Sequence, residues 1–205
     1  MGSYAIIDFE TTGLSPDHGA RPTEIAVVIV KGDQIVDRYQ SLMNPGVPIP
    51  SFIQSLTGIT NQMVKTAPGV GEVMRQAAEF VGDLPIVAHN AAFDRKFWEH
   101  SVTGKRAKPA STFICSLLLA RRLFPDATSH KLATLVQMLG LPDTGRYHRA
   151  LADAEATAYL LLHFKKELLH RFGIAAVHHE LLMAIQSSSR HKLEACVRKW
   201  QAEKV

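Results

Sequence analysis

The apolar and polar positions of this chain predict its elements in order. The first apolar run, Tyr4-Ala5-Ile6-Ile7, continues through Asp8-Phe9-Glu10 and turns away at Thr11-Thr12-Gly13, which reads as a strand. Gly and Pro mark Leu14 to Pro22 as a loop. Thr23 to Val30 is apolar enough for a strand buried on both faces. Lys31-Gly32-Asp33-Gln34 reads as a hairpin turn. Ile35 to Leu42 follows as a third strand, with Ile35, Tyr39 and Val36 as candidates for its core face. Short links between three successive strands imply an antiparallel start to a mixed sheet. Pro45, Gly46, Pro48 and Pro50 break up Asn44 to Thr60, where Gly58 marks a positive φ or a close approach to the backbone.

Helical spacing then takes over. Thr66-Ala67-Pro68 opens a helix with Val70, Val73, Ala77, Phe80 and Val81 on its apolar face, closed by Gly82-Asp83. Leu84 to Ala88 is a short buried strand. It leads into a helix from about Ala92, with Asn90 as its N-cap and Phe93 and Phe97 facing inward. Thr112 to Cys115 reads as a fifth strand, followed by a helix through Leu123. Ser129 reads as the cap of a helix with Leu132, Leu135, Val136 and Leu139 on one face, ended by Gly140. The longest helical stretch runs from Arg149 to about Arg171 and breaks at Gly173. Two more helical segments, split at Ser187-Ser188-Ser189, fill the remainder. The division read from this pattern is a domain over 1–172 and a helical appendage over 173–205.

Composition narrows the class. With 205 residues, 46% of them hydrophobic, the chain can bury one sizeable core. A net charge of +4 permits an anionic partner without demanding one. Cys115 and Cys196 are far apart and match no metal-ligand spacing, as suits a reducing compartment. The first strand starts too near Met1 to leave room for a signal peptide, and no apolar run is long enough to span a bilayer. The reading is a soluble, cytoplasmic protein with no membrane partner.

The candidate chemistry lies in four acids. Asp8 and Glu10 are two positions apart on a strand, so both point the same way and repel each other. Taken alone, they could be solvated acids on a strand that surfaces early. Asp94 and Asp153 also lie among small and apolar neighbours, Ala-Ala-Phe and Ala-Leu-Ala, near helix starts. A carboxylate buried in such company must be paired, protonated or metal-bound. The nearest cations in sequence are Arg95 and Arg149. Hard oxygen donors of this kind suit Mg²⁺ or Mn²⁺, and four acids can hold two such ions about 3.5–4 Å apart. His148 precedes Asp153 by five residues, about 140° away on a continuous helix. For both to serve one site, His148 must lie on the turn before the helix, which Gly145-Arg146-Tyr147 would allow. There it could act as a general base. The plainer reading is a solvated loop histidine, one of ten in the chain.

Asp8-Phe9-Glu10-Thr11-Thr12-Gly13, His89-Asn90-Ala91-Ala92-Phe93-Asp94 and His148-Arg149-Ala150-Leu151-Ala152-Asp153 resemble the three exonuclease motifs of the DnaQ-like superfamily. The His-x4-Asp form of the third resembles its DEDDh branch, and the similarity runs from about Tyr4 to Leu168. The resemblance implies an α/β, ribonuclease H-like fold: a five-stranded mixed sheet with helices on both faces, here with a C-terminal helical extension. It implies two divalent cations, Mg²⁺ with Mn²⁺ able to substitute, held by Asp8, Glu10, Asp94 and Asp153. Asp8 would bridge both ions, Glu10 and Asp153 would hold the one that activates water, and Asp94 would support the other through water. His148 would take the proton of the attacking water. Thr11, Thr12, Gly13 and Leu14 match positions that cradle the terminal nucleotide, Ile59 one that packs against the last bases, and Asn90 one near the scissile phosphate.

The activity so implied is 3′–5′ removal of single nucleotides from single-stranded or frayed DNA ends, in proofreading or repair, with nucleoside 5′-monophosphates as products. The alternative is an exoribonuclease or oligoribonuclease with the same site, since contacts to a 2′-OH cannot be placed from sequence. A domain that only binds nucleic acid or a polymerase would be expected to lack one of the four acids or His148. The tail after Gly173 is a candidate contact for a DNA polymerase.

Overall fold

The apolar runs form one five-stranded sheet in a computed structural model that describes residues 2–102, 113–145 and 147–203. The strands are β1 (Ser3–Thr11), β2 (Pro22–Lys31), β3 (Gln34–Leu42), β4 (Ile86–Ala88) and β5 (Phe113–Cys115), arranged β3-β2-β1-β4-β5. β1, β2 and β3 pair antiparallel, and β4 and β5 join parallel to β1. Helices α1 (Ser51–Thr57), α2 (Asn61–Val64), α3 (Val70–Val81) and α4 (Ala92–Ser101) come from the first half of the chain. They are followed by α5 (Ser116–Leu123), α6 (Leu132–Met138), α7 (Ala150–Phe172), α8 (His179–Ser187) and α9 (Leu193–Ala202). This is the α/β architecture expected, with helices on both faces. None of the described helices is long and apolar enough to cross a membrane.

Strand alternation sorts the core into two layers. Tyr4 and Ile6 face one way, with Ala26, Val28 and Val30 of β2, against Ala154, Ala158, Leu161 and Phe164 of α7. Ala5, Ile7 and Phe9 face the other way, against Val73, Met74 and Ala77 of α3 and Phe97 and Trp98 of α4. Covering on both faces explains why Ile25 to Val30 is almost uninterruptedly apolar.

The tail after Gly173 packs into the α7 layer. Ile174, Val177, Leu181, Leu182, Ile185, Leu193 and Val197 are buried there. The Tyr4 hydroxyl donates to the Val177 carbonyl at 3.1 Å. Gln186 of α8 treats the exposed sheet edge as a further strand would. Its Oε1 accepts from the Cys115 N–H at 2.7 Å, and its Nε2 donates to the Phe113 carbonyl at 3.2 Å. A side-chain amide thus satisfies backbone groups that an edge strand leaves open. Gln186→Ala is expected to lower stability by about 1–3 kcal/mol in urea denaturation, because both groups lose their partner. Unchanged stability would mean that water replaces the amide fully.

Several local expectations are corrected. Val36 is exposed. The β2–β3 register pairs Val30 with Ile35 and Ile29 with Asp37, so Val36 is the extra residue of a bulge. The bulge also sends Ile35 and Tyr39 to opposite layers. Asn90 is not a helix cap. Ala91 holds that position without a side-chain bond, and Asn90 adopts a left-handed φ of 67°. Ser129 is not a cap either: α6 begins at Leu132, and the Ser129 hydroxyl accepts from the Lys131 N–H in a local turn. α1 forms within the stretch 44–60 read as irregular, directly after Pro50; α2 follows where no element was expected, and α3 begins two residues after Pro68. Gly58, with φ 74°, and Gly140, with φ 60°, close α1 and α6 in the left-handed region. Thr112 and Arg146, used in the sequence reading, lie outside the described residues.

Candidate active site

β1 outruns its neighbour. Its ladder with β4 ends at Ile6 and Val87, so Asp8, Phe9 and Glu10 pass the end of β4 into a crevice at the sheet's carboxyl edge. Asp8 and Glu10 continue the row begun by Tyr4 and Ile6 and therefore face α7. Asp94 comes from the first turn of α4, on the opposite face. It rounds the sheet end, and its Oδ1 accepts from the Phe9 N–H at 3.2 Å. That bond occupies a backbone donor the truncated ladder leaves open.

The start of α7 supplies the rest. Asp153 lies in its first turn, and its Oδ2 accepts from the His148 N–H at 2.9 Å. His148 sits on the turn before the helix, exposed, with φ 63°. A left-handed backbone at a residue other than glycine is uncommon and clusters at functional sites. Here it brings the ring back over the helix start. One ligand atom each from Glu10, His148 and Asp153 lie within 4.8 Å of one another, while Asp8 and Asp94 fall outside that set.

Burial, and for Asp8, Glu10 and Asp94 the neighbouring carboxylates, raise the pKa values of these acids. Glu10 is pushed up to about 8, first by burial and then by Asp153, Glu24 and Asp94. Asp94, only 2% exposed, is pushed up to about 7 by burial, against the bond from the Phe9 N–H. Asp8 is raised well above the carboxylate range by burial, then by Asp94, Asp153 and Glu10. Asp153 is raised by burial. The candidate counter-ions relieve them only in part: Arg95 pairs with Glu99 at 3.7 Å, and Arg149, which lowers Glu10 somewhat, is held by Glu24 at 2.7 Å. An all-oxygen carboxylate set whose ionisation is disfavoured without a cation, beside an imidazole, fits a hard divalent metal ion.

Glu24 is the residue at this site that sequence reasoning missed. It is fully buried, directly opposite Glu10 in the β1–β2 register, beside a bulge in which Thr23 is the extra residue. Its carboxylate accepts from Arg149 Nε at 3.1 Å and Nη2 at 2.7 Å, from the Ala150 N–H at 3.1 Å, and from Gln40 Nε2 at 2.9 Å. Glu24 therefore anchors the N-terminus of α7, two residues after His148 and three before Asp153, to the strand beside Glu10. The available signal was a lone acid at the head of an otherwise apolar strand.

Two cavities meet at the acids, and both are bordered by Asp8, His89, Asn90, His148 and Asp153. The smaller, about 400 Å³, is walled by Leu14, Ile53, Leu56 and Phe93 and reached by Thr11 and Gly13. The larger, about 850 Å³, runs along Arg121, His130, Lys131 and Tyr147. Of the expected substrate contacts, Thr11, Gly13, Leu14 and Asn90 line the smaller cavity, and Leu14 is 85% exposed. Thr12 does not line it; its hydroxyl accepts from the Arg21 N–H at 2.9 Å and closes the loop. Ile59 is not available to a base. The left-handed Gly58 turns it under α1, where it is fully buried with Ile49 and Val64. Ile53 and Leu56 of α1 present the apolar surface instead.

A family model described as an exonuclease matches residues 5–161. The chain belongs to the DnaQ-like exonucleases. Its curated relatives include the DNA polymerase III PolC-type of Bacillus cereus, 42% identical over 172 residues, which are 82% of this chain and 12% of that polymerase. The DNA polymerase III subunit epsilon of Aquifex aeolicus is 35% identical over 176 residues, 84% of this chain and 85% of that subunit. Among solved structures, exonuclease X in complex with 5′ overhanging duplex DNA aligns with a TM-score of 0.70 at 30% identity, over 90% of this chain and 99% of that one. The chain thus spans 11–12% of the length of the PolC-type relatives. The exonuclease match takes in Asp8, Glu10, Glu24, Asp94, His148 and Asp153, and ends before α8 and α9.

Proposed function

We propose that this chain is a 3′–5′ exonuclease that removes nucleotides one at a time from a DNA 3′ end and releases nucleoside 5′-monophosphates. The observation that carries this reading is the meeting of five groups, Asp8, Glu10, Asp94, His148 and Asp153, where an apolar cavity opens onto a cationic one, in a chain of exonuclease family. Asp8, Glu10, Asp94 and Asp153 would hold two divalent cations, Mg²⁺ or Mn²⁺. Such ions, when bound, neutralise the phosphodiester's charge and make water acidic enough to act as a nucleophile near pH 7.

The chain's own residues do the rest. Leu14, Ile53, Leu56 and Phe93 flank the terminal base, which must leave its stack to enter. Asn90 sits at the junction, beside the scissile phosphate. An imidazole nitrogen of His148 takes the proton of the attacking water as its oxygen bonds to phosphorus. The bond to the 3′ oxygen of the preceding nucleotide breaks, and that oxygen takes a proton from solvent, leaving a new 3′-hydroxyl and a 5′-monophosphate. The left-handed turn keeps the His148 ring at the rim, where it can pass that proton to solvent. The exonuclease domain over 1–172, the extension over 173–205, its possible contact with a polymerase and a cytoplasmic setting belong to the same proposal. DNA is favoured over RNA because relatives are named as DNA polymerase III subunits and exonuclease X is seen with DNA.

His148→Ala tests the assignment of the base. General-base loss is expected to lower kcat by about 10²–10⁴-fold while leaving the Mg²⁺ concentration for half-maximal rate unchanged. His148 also falls within ligand reach of Glu10 and Asp153. A raised metal requirement, with kcat recovered at high Mg²⁺, would make it a ligand instead. Matched DNA and RNA oligonucleotides in the same assay decide the sugar; preference for RNA would overturn the DNA assignment.

A further inference from the structure

The larger cavity has a wall that the chemistry at the acids does not use. Arg121, on the last turn of α5, and Lys131, just before α6, are both exposed and both face it. Among the described residues neither side chain forms an ion pair or a hydrogen bond, so both charges are available to a ligand.

The loop that presents Lys131 is fixed from beneath. His89 Nε2 contacts the His130 carbonyl at 3.0 Å, and its Nδ1 meets the Ser116 hydroxyl at 2.9 Å. The carbonyl can only accept, so Nε2 carries the proton. Burial lowers His89 to about 4, so the ring stays neutral and keeps this tautomer across the physiological range. The His130 ring bonds the Phe124 carbonyl at 2.9 Å, and Ser129 bonds the Lys131 N–H. These bonds tie the end of β4, the end of α5 and the start of α6 together around the cavity.

A strand with its terminal base in the small apolar cavity and its scissile phosphate at the acids must leave in some direction. The larger cavity shares the acidic edge and offers unpaired cations on its far wall. We infer that the Arg121–Lys131 wall is the track for the phosphodiester backbone on the 5′ side of the scissile bond. This rests on the exonuclease reading and extends it from the terminal nucleotide to the strand behind it. Affinity for a strand comes mainly from its phosphates, whereas apolar contacts at the end seat the leaving nucleotide.

The test compares two substrates for the full chain with Mg²⁺. One is a single-stranded thymidine oligonucleotide. The other is the p-nitrophenyl ester of thymidine 5′-monophosphate, which has a cleavable diester and no phosphate behind it. For Arg121→Ala/Lys131→Ala, the ratio of kcat/KM on the oligonucleotide to that on the ester is expected to fall roughly tenfold. The dependence of log KM on log salt should flatten by about 1.4, since each single-strand phosphate contact contributes about 0.7. Arg121→Lys/Lys131→Arg should restore both. An unchanged ratio with an unchanged salt slope would overturn the track while leaving the exonuclease reading in place. Wild-type protein that cleaves neither substrate would overturn that reading, and the track with it.

Discussion

Asp8→Asn is expected to abolish nucleotide release while making the metal-free protein harder to unfold. Asp8 lies between Asp94, Asp153 and Glu10, and each of them raises its pKa after burial has done so. Asparagine keeps the shape and removes a charge that only a cation can balance. The loss in kcat should be on the order of 10³-fold or more, because the side chain would no longer help neutralise the reacting phosphate. The stability gain follows from linkage. Glu10 and Asp94 titrate near 8 and 7 in the folded chain, far above their values of 4.5 and 3.8 when unfolded. Between the unfolded and folded values the unfolded chain binds fewer protons, so stability falls as pH rises through 7 to 8 and is retained below about 4.

Thermal melts of the wild-type chain in EDTA should therefore drop from pH 6 to pH 8.5, and saturating Mg²⁺ should remove much of that slope. Asp8→Asn should flatten the slope without metal and gain little from Mg²⁺. Each unit of relieved shift is worth about 1.4 kcal/mol, and each kcal/mol raises Tm by about 2–4 °C in a chain of this size. A variant that is inactive and also less stable in EDTA at pH 8 would contradict the account of strained acids.

Glu24→Ala is expected to damage the site without touching substrate. The change leaves the Ala150 N–H and the Gln40 amide without their acceptor and releases the Arg149 guanidinium. Unsatisfied buried donors cost on the order of 1–3 kcal/mol, visible as a lower urea midpoint. The larger effect should be catalytic. The start of α7 carries Asp153 and follows His148, and a shift of about 1 Å there can cost roughly 10²-fold in rate. Glu24→Gln keeps an acceptor for Ala150 but loses the two-pronged grip on Arg149, so it should recover stability more than kcat. If Glu24→Ala lowered stability but left kcat and its pH profile unchanged, Glu24 would only hold the strands together.

The sequence carried a large part of this arrangement because the site is built from periodic elements. Two acids two positions apart on β1 had to share a face. His148 and Asp153, five apart, could meet only if the helix began between them, and it begins at Ala150. Less local features were hidden. Glu24 gains its meaning from pairing with Arg149, 125 residues away, across a register that no local pattern encodes. Ile59 looked like a surface wedge, but the turn at Gly58 directs it inward, and α1 contributes Ile53 and Leu56 in its place. Asn90 has the residue type of a cap, yet at φ 67° its side chain is turned away from the role. The tail's link to β5 runs through one amide, Gln186, whose partners lie more than 70 residues earlier.

The most direct test is digestion of a 5′-labelled single-stranded DNA oligonucleotide with Mg²⁺, with and without EDTA, alongside Asp8→Asn. The account predicts a ladder that shortens by one nucleotide at a time from the 3′ end, with thymidine 5′-monophosphate and its counterparts released, and no ladder with EDTA or in the variant. Cleavage that persists in EDTA, or intact oligonucleotide with both Mg²⁺ and Mn²⁺, would contradict it.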